Sequence, residues 1–203
     1  MHTESRDFTL FVKNILTDFF INKRVLDVGS GDINGNNRFL FKNCYYDGND
    51  VMQTKNVTIV SKTKDLPFQN NTFDTIISTE CFEHDPEYEE SLKKIYTMLK
   101  PDGLFCFTCA STGRGEHGTR RTTPNDSYGT IGNLADMSDY YKNITELDLN
   151  QVLPLNELFS VWDTYYNSYS KDLYFVGIKK GHSKLNALQK YVNNFVSHTS
   201  SNI

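Results

Sequence analysis

The sequence predicts an α/β domain with a mostly parallel seven-stranded sheet, a C-terminal antiparallel hairpin and helices on both faces. Three observations carry that reading. Short apolar runs alternate with helix-period segments over residues 24–110. A glycine turn follows the first apolar run directly. After residue 110 the alternation stops, and two later strand-like runs are joined by a short polar link.

Each element has its own signal. Phe8, Phe11, Val12, Ile15, Leu16 and Phe19 recur at helical spacing, which predicts an amphipathic helix near residues 6–20. Val25-Leu26-Asp27-Val28 reads as the first strand, and a second helix is expected after Gly35. Tyr45 to Val51 and Val57 to Val60 read as strands two and three, Phe73 to Ser78 as strand four. Asp85 and Pro86 suit the start of the next helix, whose apolar stripe is Leu92, Ile95, Tyr96 and Leu99. Lys100, Pro101 and Gly103 end it, and Leu104 to Cys109 is strand five. Residues 111–133 form a long polar loop. Asn143 with Glu146 resembles a capping box for a short helix. Phe159 to Tyr166 and Leu173 to Ile178 pair as the hairpin. Ser183 caps a final helix with Leu185, Leu188, Val192 and Phe195 on one face, which packs on its own domain or forms a dimer contact.

The chain has 203 residues, of which 38% are apolar and 23% charged, enough for one domain with a full core and too ordered in composition for a disordered chain. A net charge of −4 argues against a general nucleic-acid binder. No apolar stretch is long enough to span a bilayer, and the N-terminus lacks the layout of a signal peptide, so a cytoplasmic monomer or homodimer is expected. Cys106 and Cys109 read as C-x-x-C, but three residues apart on a strand they point to opposite faces. Buried thiols are expected rather than a zinc or redox pair.

The informative stretch is Asp27-Val28-Gly29-Ser30-Gly31-Asp32-Ile33-Asn34-Gly35. Glycines directly after a strand let the backbone turn sharply and approach a ligand closely. Asp50 follows Gly31 by nineteen residues, where a carboxylate can accept from both ribose hydroxyls. Two ligand classes compete. A nicotinamide or flavin dinucleotide prefers G-x-G-x-x-G, whereas Asn34 takes the last glycine's place here. Asp27 and Asp32 would also repel a pyrophosphate. A sulfonium nucleoside with an ammonium group suits the carboxylates better.

Asp27 to Gly31 resembles the D-x-G-x-G signature of the class I S-adenosylmethionine-dependent methyltransferases, whose fold is Rossmann-like. Leu66-Pro67-Phe68, Phe73-Asp74, Glu83-His84 and Leu99-Lys100-Pro101-Asp102-Gly103 follow in that family's order, most like its small-molecule branch called type 11. The resemblance covers about residues 24–110 and implies S-adenosylmethionine as cofactor. It implies that Gly29, Ser30 and Gly31 line the methionine part, that Asp27 holds the loop and the amino group, and that Asp50 binds the ribose. The adenine contact departs from the family pattern: Lys62 and Thr63 align there, with Asp65 or Leu66 as alternatives, and Thr79 completes the cofactor set. The resemblance divides the chain into a domain over 1–181 and a C-terminal helix and tail over 182–203. Within the domain, 1–22 carries the N-terminal helix and 111–150 an acceptor-side loop and helix insertion.

Methyl transfer from a sulfonium needs an acceptor held in line and kept dry, with a base where the acceptor must lose a proton. Two segments reach the carboxyl edge of the sheet, Thr79 to His84 and Arg114 to Arg121. His117 is the candidate base, and His84 is a second candidate with a structural or cofactor-lining role favoured. Glu80, Arg114, Arg120, Arg121 and Tyr140 are expected to meet the acceptor, the arginine forks favouring an anionic small molecule. No metal is expected, because the adjacent Glu83, His84 and Asp85 rarely converge on one ion. A nucleobase amino methyltransferase is disfavoured, because strand four ends in Ser78-Thr79-Glu80 rather than D/N-P-P-Y. The expected activity is transfer of a methyl group to O or N of a small-molecule or sugar-like acceptor. A nicotinamide-dependent oxidoreductase and a non-catalytic module keeping the fold are the alternatives.

Overall fold

The computed structural model describes residues 2–181. Its strands are β1 (Arg24–Val28), β2 (Tyr45–Asp50), β3 (Ile59–Val60), β4 (Phe73–Thr79), β5 (Leu99–Ala110), β6 (Phe159–Asn167) and β7 (Asp172–Lys179). They form one sheet in the order β3-β2-β1-β4-β5-β7-β6. The first five strands pair in parallel, and β7 runs antiparallel to both of its neighbours. This is the Rossmann-like methyltransferase fold that the sequence leads one to expect.

Period-two burial produces two cores, one on each face. On β5, Phe105, Phe107 and Cys109 enter one core, and Leu104 and Cys106 enter the other. The two cysteines therefore sit on opposite faces as free, buried thiols. The first core is covered by α2 (Tyr88–Met98) through Leu92 and Ile95, by α4 (Glu146–Val152) through Leu149, and by α5 (Leu155–Leu158) through Leu155. The second is covered by α1 (Thr3–Ile15) through Phe8 and Val12. A further short helix, α3 (Tyr128–Ile131), sits in the loop after β5.

Several boundaries differ from expectation, each for a local reason. α1 stops at Ile15, and a 3₁₀ turn, Thr17–Phe20, completes the segment and buries Phe20. The helix expected after Gly35 is absent; only a 3₁₀ turn, Arg38–Leu40, forms there. The Gly35 amide donates to Asp32 Oδ1 (3.0 Å) and the Arg38 amide to Asn36 Oδ1 (2.9 Å), so local side chains satisfy the backbone in place of a helix. α2 begins at Tyr88 rather than at Asp85. Asp85 still serves this end, accepting from the Glu87 amide (2.9 Å) and Ser91 Oγ (2.5 Å). The capping box belongs to Thr145 and Asp148, not to Asn143 and Glu146. Asn143 Nδ2 donates instead to the Arg114 carbonyl (3.0 Å), and Glu146 accepts from Thr164 Oγ1. The helix expected from Ser183 onward lies outside the described residues. Among the described residues no helix is long and apolar enough to cross a membrane.

Candidate active site

A cavity of about 480 Å³ opens at the carboxyl ends of β1, β2 and β4, within the size range of small-molecule sites. Its floor is the glycine turn. Gly29 has φ +71°, and a Cβ there would lie 2.6 Å from Cys81 Sγ. A Cβ on Gly31 would lie 2.1 Å from the Tyr128 ring and 2.7 Å from Asp50 Oδ2. Backbone alone fits in that corner, which is why the turn needs glycine.

Two carboxylates flank the turn. Asp27, at the end of β1, is fully buried and accepts from Asn37 Nδ2 (3.0 Å) and from the Tyr46 hydroxyl. Burial pushes its carboxyl up to about 6, against the pull of those hydrogen bonds. Asp50, at the end of β2, accepts from the Gly31 amide (2.9 Å) and the Val51 amide (2.7 Å). Burial raises its carboxyl as well, and the two amides oppose the rise. Both line the same cavity, on neighbouring parallel strands.

The far end of the cavity gathers His84, His117, Glu80, Arg114 and His2. Glu80 has a left-handed backbone (φ 53°), and its Oε1 accepts from Ser5 Oγ (2.8 Å) and Thr108 Oγ1 (2.7 Å). His2 Nε2 stands 3.2 Å from Glu80 Oε2 and 3.0 Å from Asp172 Oδ2. Burial disfavours the His2 charge, but Asp172 and Glu80 outweigh it and raise the imidazole to about 10. Burial likewise opposes ionisation of Glu80, but His2 holds its carboxyl at about 2. Burial lowers His84 to about 3, with His117 adding to the effect, so His84 is far too weak a base at neutral pH. His117 Nδ1 is 3.1 Å from the Gly115 carbonyl, which fixes the proton there and leaves the lone pair on Nε2. That Nε2 lies 4.0 Å from Glu83 Oε1. Glu83 is fully buried, and neither of its carboxylate oxygens has a side-chain hydrogen-bond partner, while its own amide and that of Ala110 favour the ionised form. Its carboxyl is raised well above the usual range by burial, then by the Glu80 and Asp172 charges.

The structure thus brings together Asp27, Gly29, Gly31, Asp50, Lys62, Thr63, Thr79, Glu80, His84, Arg114 and His117 around one space. Six expected residues are not in its lining. Ser30 is buried with its Oγ turned toward Gly48. Leu66 is in the core, and Asp65 pairs with Lys64 at the surface. Arg120 is held by Asp139, and Arg121 by Glu116 and the Asp139 carbonyl. Tyr140 is half-buried outside the cavity. Arg114 also spends one nitrogen on the Ser170 carbonyl (2.6 Å), so the arginine forks do not converge on an acceptor. Asp85 turns to Ser91. His117 arrives from a distant loop, and one ligand atom from each of Glu83, His84 and His117 lies within 4.8 Å of the others.

Sequence reasoning missed Tyr128, Asn37 and His2. Tyr128 lies in a segment read only as polar loop, yet its ring covers Gly31. Asn37 bridges Asp27 and Thr79 Oγ1 (3.1 Å). Four asparagines between residues 34 and 43 were the available signal that this crossover is built from side-chain hydrogen bonds.

Residues 26–107 match the type 11 family model described as a methyltransferase domain. Over 80 residues the chain is 31% identical to phosphoethanolamine N-methyltransferase 2 of Caenorhabditis elegans; this covers 39% of the chain and 16% of that enzyme. A Burkholderia thailandensis 1,6-didemethyltoxoflavin-N1-methyltransferase structure, with its substrate and S-adenosylhomocysteine bound, superposes with a TM-score of 0.58 at 16% identity. That match covers 88% of this chain and 80% of that one. Haemonchus contortus phosphoethanolamine N-methyltransferase 2 superposes at 0.55 and 15% identity, covering 85% of this chain and 53% of that one. At such identities the likeness is one of fold. The matched segment contains the glycine turn, and the sheet order is that of the Rossmann-like methyltransferase fold.

Proposed function

We propose that the chain binds S-adenosylmethionine across Asp27, Gly29, Gly31 and Asp50 and transfers its methyl group to a nitrogen of a small-molecule acceptor. The observation that carries the cofactor reading is one buried carboxylate, Asp27, and one half-buried carboxylate, Asp50, on either side of a turn that only glycine fits. Asp50 faces the ribose hydroxyls and Asp27 the ammonium end. A cationic nucleoside relieves the cost of burying two acids, which a pyrophosphate would increase. Lys62 is tied to Glu87 (2.7 Å) and Asp136, so the adenine edge meets Ser61, Lys62 and Thr63 chiefly through backbone.

The acceptor end supports an amine over an anion. Its arginines are paired within the protein, and Glu80, Asp85 and Asp126 face the space. The nematode and Burkholderia relatives named above are N-methyltransferases, which agrees with this reading. An ammonium acceptor must lose a proton before it attacks the methyl carbon, and His117 Nε2 is the lone pair placed to take it. The remaining contribution is in-line positioning of the acceptor.

Calorimetry with S-adenosylhomocysteine tests the cofactor. Binding is expected for the wild type, with affinity reduced at least about tenfold in Asp50→Ala. His117→Ala should keep that affinity and lose about 10²-fold or more in turnover of an amine acceptor. Absence of binding by the wild type would remove the reading altogether.

A further inference from the structure

The geometry points to a divalent transition-metal site formed by Glu83, His84 and His117 at the acceptor end of the cavity. One ligand atom from each residue lies within 4.8 Å of the others. Ions such as zinc hold imidazole nitrogen at about 2.0–2.1 Å and carboxylate oxygen at about 2.0–2.2 Å in tetrahedral geometry, so neighbouring ligands lie about 3.4 Å apart. His117 Nε2 and Glu83 Oε1, at 4.0 Å, are within about 0.6 Å of that spacing. The full set needs closure by up to about 1.4 Å. The loop bearing His117 can supply it, because Gly115 and Gly118 flank the histidine.

Three further observations indicate a cation rather than an empty polar corner. Glu83 is completely buried with no side-chain partner for either carboxylate oxygen, and His84 Nδ1 is buried and unpartnered. Leaving such groups unpaired costs free energy that a bound cation recovers. His117 is oriented as metal-ligating histidines usually are, with one ring nitrogen given to a backbone carbonyl and the other left bare. The His84 and His117 rings stand nearly perpendicular (88°) with centroids 4.9 Å apart, so their edges converge without stacking. Two imidazoles and one carboxylate leave coordination positions open, and both histidines line the cavity, so those positions face the acceptor. The second histidine–carboxylate group, His2 with Glu80 and Asp172, is different. There His2 already bridges the two acids at 3.2 and 3.0 Å, and the group is neutralised within the protein.

An ion at this point takes the lone pair that His117 otherwise offers as a base. In the metal-loaded protein a water held at the open position would ionise near neutral pH and accept the ammonium proton in place of His117, leaving the amine lone pair free for the methyl carbon. The assignment does not rest on the cofactor reading and is tested apart from it. Metal-stripped protein is titrated with cobalt(II), followed by visible d–d absorption, with zinc as competitor and S-adenosylhomocysteine affinity measured in parallel. The expected result is one equivalent of cobalt, displaced by zinc, with affinity at least about tenfold weaker in both Glu83→Gln and His117→Ala. His117 sits on a partly exposed loop, so that variant tests the site without endangering the core. Failure to bind cobalt stoichiometrically would overturn the site. So would affinity unchanged in His117→Ala, or affinity lost only in His2→Ala. An amine acceptor that binds tightly while cobalt does not would assign Glu83 to the substrate instead. Loss of S-adenosylhomocysteine binding with cobalt binding intact would count against the proposed function alone.

Discussion

Gly29 combines two constraints that only a glycine satisfies. Its φ of +71° is left-handed, and a Cβ there would press on Cys81 at 2.6 Å. An alanine costs roughly 1–2 kcal/mol for the backbone alone, before the clash. Gly29→Ala is therefore expected to lower stability by at least that amount in urea unfolding and to weaken S-adenosylhomocysteine binding. A variant with both quantities unchanged would show that the turn is not held as described. This residue was legible from sequence because a glycine directly after an apolar strand has few other uses. Asp27 and Asp50 were legible for a related reason: their spacing from the turn matches the reach between neighbouring parallel strands. Ser30 was not legible in the same way. Its position in the motif is right, yet its side chain turns to Gly48, and only the backbone direction decides that.

At the scale of elements, strands were easier to read than helices. β4 appears where expected, whereas β5 begins at Leu99, so that Lys100, Pro101 and Gly103, expected to end the helix, lie in the strand. The helix after Gly35 fails because Asp32 and Asn36 give the backbone local partners. The α4 cap shows how spacing alone misleads. Asn143 and Glu146 have the required three-residue interval, and so do Thr145 and Asp148. In the folded chain Thr145 accepts from the Asp148 amide (3.2 Å), and Asp148 Oδ2 accepts from the Thr145 amide (2.9 Å). Removing the hydroxyl leaves an amide at the first turn unpaired, and Thr145→Ala is expected to cost about 1 kcal/mol. Chemical denaturation would detect it. Asn143→Ala should leave the cap intact and lose instead a bond to the loop that carries Arg114.

The whole molecule determines what the two ends of the cavity do, because both depend on residues that sequence distance separates. Glu83 and His117 meet only because the loop after β5 folds back over the turn after β4. No local pattern announces that contact. Asp27 shows the same dependence in its protonation. Ionisation is opposed by its depth between the two cores and by Asp50 nearby, while Tyr46 and Asn37 favour it. The folded carboxyl titrates near 6 against an ordinary 3.8, so this group favours the fold most below 3.8. That contribution fades as pH rises through about 6. Cofactor binding should run the other way, since the ammonium group of the ligand needs the ionised acid. Affinity for S-adenosylhomocysteine is expected to fall as pH drops from 7 to about 5, with proton release on binding near pH 6. Calorimetry in buffers of different ionisation enthalpy would register those protons. Asp27→Asn should flatten the profile while keeping the shape of the site. A wild-type affinity independent of pH across that interval would mean that the ammonium end of the ligand does not rest on Asp27, and that the two acids serve the fold alone.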